Sequence, residues 1–141
     1  MTSDLRSFDG LGFFLYRSAS APGLTEAGLS RILATARSRN QKLGLTGCLH
    51  YEDGMFFQWL EGPSSSLVQI LDAISADDRH DRVEILDQGP LEHRQFQDWR
   101  MRFSDRNSGS LTDWFARSDN STVDRSHYNN GVVSFLLSLA T

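Results

Sequence analysis

Between the apolar runs 45–51 and 55–61 stand only Glu52, Asp53 and Gly54. An Asp-Gly pair adopts the left-handed backbone of a tight turn at little cost, so the two runs it joins are expected to pair as an antiparallel hairpin. That hairpin sits between two further strand-helix patterns. Residues 11–17 read as a buried strand, ended by the small residues 18–23. Thr25 can cap a helix running to about Gln41, with Leu29, Ile32, Leu33 and Ala36 on its apolar face at the spacing i, i+3, i+4, i+7. Gly62-Pro63-Ser64 opens a second helix with Leu67, Ile70, Leu71 and Ile74 on one side, ended by 77–80. Residues 83–86 read as a fourth strand. In the fifth, Trp99, Met101 and Phe103 alternate with Arg100 and Arg102, the period of two of a half-buried strand.

The order β-α-β-β-α-β-β predicts an α+β, ferredoxin-like sheet with both helices on one face. The opposite face then needs cover, which two C-terminal helical patterns, 110–116 and 122–139, can supply. The apolar residues Val132, Val133, Phe135, Leu136, Leu137 and Leu139 form the covering surface, and Gly131 after Asn129-Asn130 weakens the start of that helix. The expected organisation is a tail (1–10), a core domain (11–105) and a helical extension (106–141).

With 141 residues the chain can bury a real core. A net charge of −4 argues against a general nucleic-acid footprint. Thirteen of the 14 basic residues are Arg, the exception being Lys42. A single cysteine, Cys48, allows neither an internal disulfide nor a cysteine metal cluster and fits a cytoplasmic setting. The acidic, polar first ten residues do not resemble a signal peptide, and the longest apolar run, 132–140, is too short to span a bilayer.

Within the third strand, Phe57-Gln58-Trp59-Leu60-Glu61-Gly62 places an amide among aromatics. An amide removed from water costs about 1–3 kcal/mol unless it is hydrogen-bonded, so Gln58 needs a polar partner inside the fold. A carboxamide donates at one end and accepts at the other, and it can exchange them by rotating. Gln58 is therefore a candidate switch, or a core glutamine satisfied by the backbone. Tyr16 on the first strand and Asn40 at the end of the first helix are the other polar residues this fold brings near the slot under the helices. Such a slot suits a flat ligand held at its rim by an amide, with Ile32 and Ile74 as walls. Each also fits a plainer role: a satisfied buried tyrosine, a helix-end cap, core aliphatics. Arg39 suits a phosphate or solvent, and Arg79 and His80 open the loop after the second helix.

No glycine-rich phosphate loop is present, and His50, His80, His93 and His127 lack ligand spacing. Cys48 has neither a flanking base nor a partner, so a buried, unreactive thiol is expected.

Taken together, several segments resemble the BLUF family, the sensors of blue light using FAD. They are Leu15-Tyr16-Arg17-Ser18, Ala36-Arg37-Ser38-Arg39-Asn40, Leu45-Thr46-Gly47, Tyr51-Glu52-Asp53-Gly54, Phe56 to Gly62, Asp78-Arg79-His80, and Arg94 and Phe96 leading to Trp99-Arg100-Met101. The resemblance covers roughly 13–103, and the layout is similar to short bacterial members without an output domain. It implies non-covalent FAD with its ring system between the two helices. Asn40 would hold the C4 carbonyl and N3–H edge, Arg79 and His80 the pyrimidine end, and Arg39 the ribityl-phosphate side, where some relatives carry an amide or His. Gln58 would bridge Tyr16 and the flavin N5/O4 edge. Light would move an electron and then a proton from Tyr16, leaving Gln58 rearranged by rotation, tautomerism or both, with a stronger hydrogen bond to the carbonyl and red-shifted absorption. Trp99 and Met101 would relay the change to the C-terminal helices.

The reading implies a photosensor without turnover, an unidentified downstream protein, no membrane partner and a homodimer. An acylphosphatase-like hydrolase using Arg17 and Asn40 is the enzymatic alternative, and a chromophore-free small-molecule module the third. The 18–23 loop lacks the glycine cradle that the hydrolase would need.

Overall fold

A computed structural model gives the structure of the chain and describes residues 5, 9–20, 23–76, 80–96, 102–105, 109–111, 113 and 125–138; the side chains of 74, 75, 80–82 and 125–130 lie outside that description. The elements run β1 (Leu11–Ser20), α1 (Glu26–Leu43), β2 (Thr46–Glu52), β3 (Met55–Pro63), α2 (Ser64–Ser75), β4 (His80–Pro90), β5 (Arg102–Asp105) and α3 (Arg125–Ser138).

The strands form one five-stranded sheet in the order β4-β1-β3-β2-β5. β3 lies antiparallel between β1 and β2, β4 is antiparallel to β1, and β5 adds parallel to β2. This is the expected ferredoxin-like arrangement of two split β-α-β units, extended by a fifth strand. The hairpin forms as the sequence requires. Glu52 pairs with Met55, and Asp53 and Gly54 take φ of 51° and 78°, both left-handed, as a primed two-residue turn demands.

Side-chain alternation divides the sheet into two faces. On one, Phe14, Tyr16, Leu49, Phe56 and Leu60 pack with Ile32 and Ala36 of α1 and Leu67 and Ile70 of α2. On the other, Leu15, Cys48, Phe57, Trp59 and Leu86 pack with Phe96, Leu111 and Val132, Phe135 and Leu136 of α3. The C-terminal helix thus covers the second face, as its apolar run predicts.

Several boundaries differ from expectation, each for a local reason. β1 continues through Ser18, Ala19 and Ser20 rather than breaking at Arg17, because Ser18 is small enough to be buried and Ser20 N–H donates to Gly54 O at 2.8 Å. α1 runs beyond Gln41 to Leu43, where Gly44 in the left-handed region closes it and donates to Asn40 O. Its N-cap is Thr25, whose Oγ1 accepts from Gly28 N–H at 3.1 Å. β2 and β3 each extend past their apolar runs, to Glu52 and Pro63. β4 spans 80–90 rather than 83–86, since an edge strand paired only with β1 tolerates polar residues at its ends. The described fifth strand is Arg102–Asp105, which contains the expected Phe103 and runs two residues past it; Trp99 and Met101 lie outside the described residues, as do Arg79 and most of 110–116.

Candidate functional site

Tyr16 and Gln58 are direct partners in the register of β1 and β3, on the face beneath the helices. Across β3's other edge, Gln58 pairs with Leu49. The central position of β3 explains the burial: Gln58 is 3% and Tyr16 1% exposed. Each is engaged by neighbours within the fold.

Asn40 lies in the last turn of α1 and is fully buried. Burial follows from helical spacing, because Ile32, Ala36 and Asn40 recur every four residues on one stripe. Asn40 is not the helix-end cap that its position allows, since Gly44 fills that role. Leu45 N–H and Gly44 N–H both donate to its main-chain carbonyl. Its side-chain Oδ1 is buried and finds no donor among the described residues, although the residue is otherwise engaged. A buried carbonyl oxygen of this kind fits the N–H edge of a flat heterocycle.

α2 lies close over β1, β3 and β4, whereas α1 stands further from the sheet. Ile32 projects from α1 into the shared core. Ile74 belongs to α2, with its side chain outside the description, and His80 opens β4 likewise. Arg39 is half-buried and lines, with Ala34, Thr35, Ser38 and Lys42, an open depression of about 500 Å³. Arg39 and Lys42 give this depression a cationic character that suits an anionic group. The structure thus brings Tyr16, Gln58, Asn40 and Ile32 to one side of the sheet. Arg17 is not among them. It points to the opposite face and pairs with Glu84 at 2.9 Å, separated from the Asn40 with which a hydrolase would combine it.

The sequence reading missed two carboxylate-centred networks on the second face. Glu61 Oε1 accepts from Phe96 N–H at 2.6 Å and Thr46 Oγ1 at 3.3 Å; Oε2 accepts from Gln95 N–H at 2.8 Å and Trp59 Nε1 at 3.1 Å. Arg94 completes this clasp by donating to Thr46 Oγ1 at 2.9 Å and Gly44 O at 2.7 Å. At the other end of the hairpin, Glu52 Oε1 accepts from Leu111 N–H at 2.7 Å and His50 Nε2 at 2.9 Å, while Oε2 accepts from Ser110 Oγ at 2.8 Å. His50 Nδ1 shares a 2.8 Å hydrogen bond with Ser104 Oγ.

Ser104, His50 and Glu52 have the connectivity of a hydrolytic triad, yet His50 is fully buried and Glu52 is saturated by structural donors, so no substrate can approach. The signal was available in the alternation: His50, Glu52 and Glu61 stand at inward positions of otherwise apolar strands, where charge demands partners. Cys48 is also buried on this face. Burial, the larger effect, together with the nearby Glu61 carboxylate pushes its thiol from the ordinary 9.0 up to about 12, against the opposing pull of a backbone hydrogen bond at Trp59 and of Arg102.

Among the described residues no cluster of His, Cys, Asp and Glu has the makings of a metal site, and no helix is long and apolar enough to cross a membrane.

Comparison with known proteins identifies the scaffold. Residues 11–102 match the family described as sensors of blue-light using FAD, BLUF. The photoactivated adenylate cyclase subunit beta of Euglena gracilis is 34% identical over 95 residues, covering 67% of this chain but 11% of that protein. The chain therefore spans about a tenth of the length of that relative. Among solved structures, the dark state of BlrB, a BLUF protein, is 33% identical with a TM-score of 0.71, covering 89% of this chain and 98% of that one. The photo-activated state of BlsA is 26% identical with a TM-score of 0.76, covering 92% and 94%.

Proposed function

This chain belongs to the BLUF family, sensors of blue light that use FAD, and from that premise we propose that Tyr16 is its electron and proton donor and Gln58 the amide that records illumination. The observation that carries the reading is the register pair Tyr16–Gln58, buried at the centre of the sheet beneath the helices. Cross-strand partners stand about 5 Å apart at Cβ, within reach of a phenol–amide hydrogen bond.

FAD, when bound, supplies absorption of blue light and an acceptor for an electron. The remaining work falls to side chains of this chain. Asn40 holds the polar edge of the ring through its carboxamide, and Ile32 and Ile74 flank the ring faces. Arg39 serves the phosphate side, supported by its cationic depression with Lys42. Arg79 and His80 take the pyrimidine end. The Tyr16 phenol gives up an electron and then its proton and recovers both. Gln58, adjacent, ends with its donor and acceptor ends exchanged, by rotation or tautomerism. Burial matters here, because water at Gln58 would satisfy either orientation equally and erase the difference between them.

The unit 11–105 is the flavin-binding domain and 106–141 a helical extension that carries the output. Trp99 and Met101 relay the change towards it, to a downstream protein or within a homodimer. The cyclase named for the Euglena relative is a property of that protein; no turnover is proposed for this chain.

Absorption spectra before and after blue light test the reading. Protein carrying releasable FAD should show a red-shifted band that decays in the dark. Protein that stays flavin-free after reconstitution with FAD, or bound flavin without a shift, would overturn it.

A further inference from the structure

Among the described residues the Glu52 carboxylate gathers three donors from two parts of the fold: His50 on its own strand, and the hydroxyl of Ser110 with the main-chain N–H of Leu111 on the segment after β5. A carboxylate only accepts, so the His50 ring must carry a proton on Nε2. In the neutral ring Nδ1 then accepts from Ser104 on β5. The ring of His50 stands edge-on to Phe135 of α3, with centroids 4.8 Å apart. One ionic group thus ties β2 to the 110–111 segment and, through the imidazole, to β5 and α3. All four polar side chains are buried. In such a setting a charge-assisted hydrogen bond is worth roughly twice a neutral one, and losing one partner exposes the rest to an unsatisfied charge.

The position of the network relative to Gln58 gives it a second meaning. Gln58 pairs with Leu49, and His50 is the next residue along β2. Leu49 faces the helices and His50 faces α3. A displacement of β2 at Leu49 therefore reaches the opposite face one residue away, without passing along the 97–101 segment.

We infer that Glu52 with His50 forms a latch that fastens the C-terminal segment to the sheet, and that rearrangement at Gln58 loosens it through β2. Glu52 is a positioning residue for the output and does not belong to the flavin site. The coupling to light rests on the photoreceptor reading above; the fastening does not.

The test is hydrogen exchange at Val132, Phe135 and Leu136, in dark and light, on the full-length FAD-loaded protein and its Glu52→Gln variant. The carboxamide keeps the size but presents one acceptor where the carboxylate has two. In the dark, the variant's protection at these amides should fall by about tenfold, the scale of one lost charged hydrogen bond. Flavin content and the amplitude of the red shift should be retained. Illumination should lower protection in the wild type and add little in the variant. Ser110→Ala removes a single donor from the C-terminal side and should give a smaller loss of the same kind, which keeps the inference testable if Glu52→Gln folds poorly. Unchanged dark protection in both variants would overturn the fastening. A full light-induced drop persisting in folded Glu52→Gln would overturn the coupling. Absence of any red shift in the wild type would remove the photoreceptor reading, while the dark comparison would still decide the fastening.

Discussion

Tyr16 and Gln58 face each other across β1 and β3 at the middle of the sheet, and Leu49 closes Gln58's other side on β2. The amide therefore has one polar cross-strand neighbour and one apolar one. That asymmetry gives Gln58 a direction, because reversing its carboxamide changes what it offers the phenol and cannot be compensated from Leu49.

Gln58→Leu should keep FAD and lose the red-shifted state, since leucine fills similar space without donor or acceptor. Tyr16→Phe should also keep FAD and reduce the light-induced shift to near zero, because phenylalanine has no proton to release. Steady-state difference spectra of the two variants check both. A shift of wild-type amplitude in either would exclude that residue from the proposed switching.

Asn40→Ala should act on retention instead. Asn40 is fully buried on the stripe of α1 that carries Ile32 and Ala36. Losing a buried hydrogen-bonding group costs about 1–3 kcal/mol, which corresponds to roughly a tenfold or greater rise in the dissociation constant for FAD. Titration of the apoprotein with FAD measures it. The red shift per bound flavin should survive, which separates this variant from the previous two.

Much of this architecture is legible in the chain. Thr25 and the Leu29, Ile32, Leu33, Ala36 spacing specify α1, and Asp53-Gly54 specifies the hairpin, because local chemistry alone decides both. β4 is under-read because its edge position admits polar residues such as Asp87 and Gln88, which periodicity counts as loop. Ser18 to Ser20 look like a break, yet pairing with β3 and β4 carries the strand through them. At the site, Gln58 stands out because an amide in an apolar strand violates local expectation. The Glu52 and Glu61 networks violate it equally but depend on donors 34 to 59 residues away, which no spacing rule reveals.

Gly47→Ala should destabilise the sheet that positions Gln58. A Cβ at Gly47 would overlap the carbonyl oxygen of Trp59, a backbone atom that cannot rotate aside. Gly47 pairs with Leu60, so relief requires opening the β2–β3 ladder beside the switch. Overpacking of this kind costs about 3 kcal/mol. Urea unfolding should show a lower midpoint with little change in slope. A midpoint matching the wild type would mean that the strands do not approach this closely in solution.

Cys48 should be silent towards thiol reagents in the native protein and should shape stability at alkaline pH. Burial raises its native pKa from 9.0 to about 12. Below pH 9 the thiol is protonated in both folded and unfolded chains, and its contribution does not vary. Between 9 and about 12 the unfolded chain releases a proton that the native state retains. Stability therefore falls as pH rises, by about 1.4 kcal/mol per pH unit from this group, and the fall is complete above the native pKa. Cys48→Ala lacks the titrating thiol, so its stability should decline less steeply than the wild type's over that window. Urea midpoints of both proteins from pH 8 to 11 measure the difference. Parallel declines would show that the thiol ionises alike in the folded and unfolded chains. Rapid labelling of the native wild type at pH 8, without unfolding, would likewise place Cys48 outside the protected position that its burial beside Trp59 gives it.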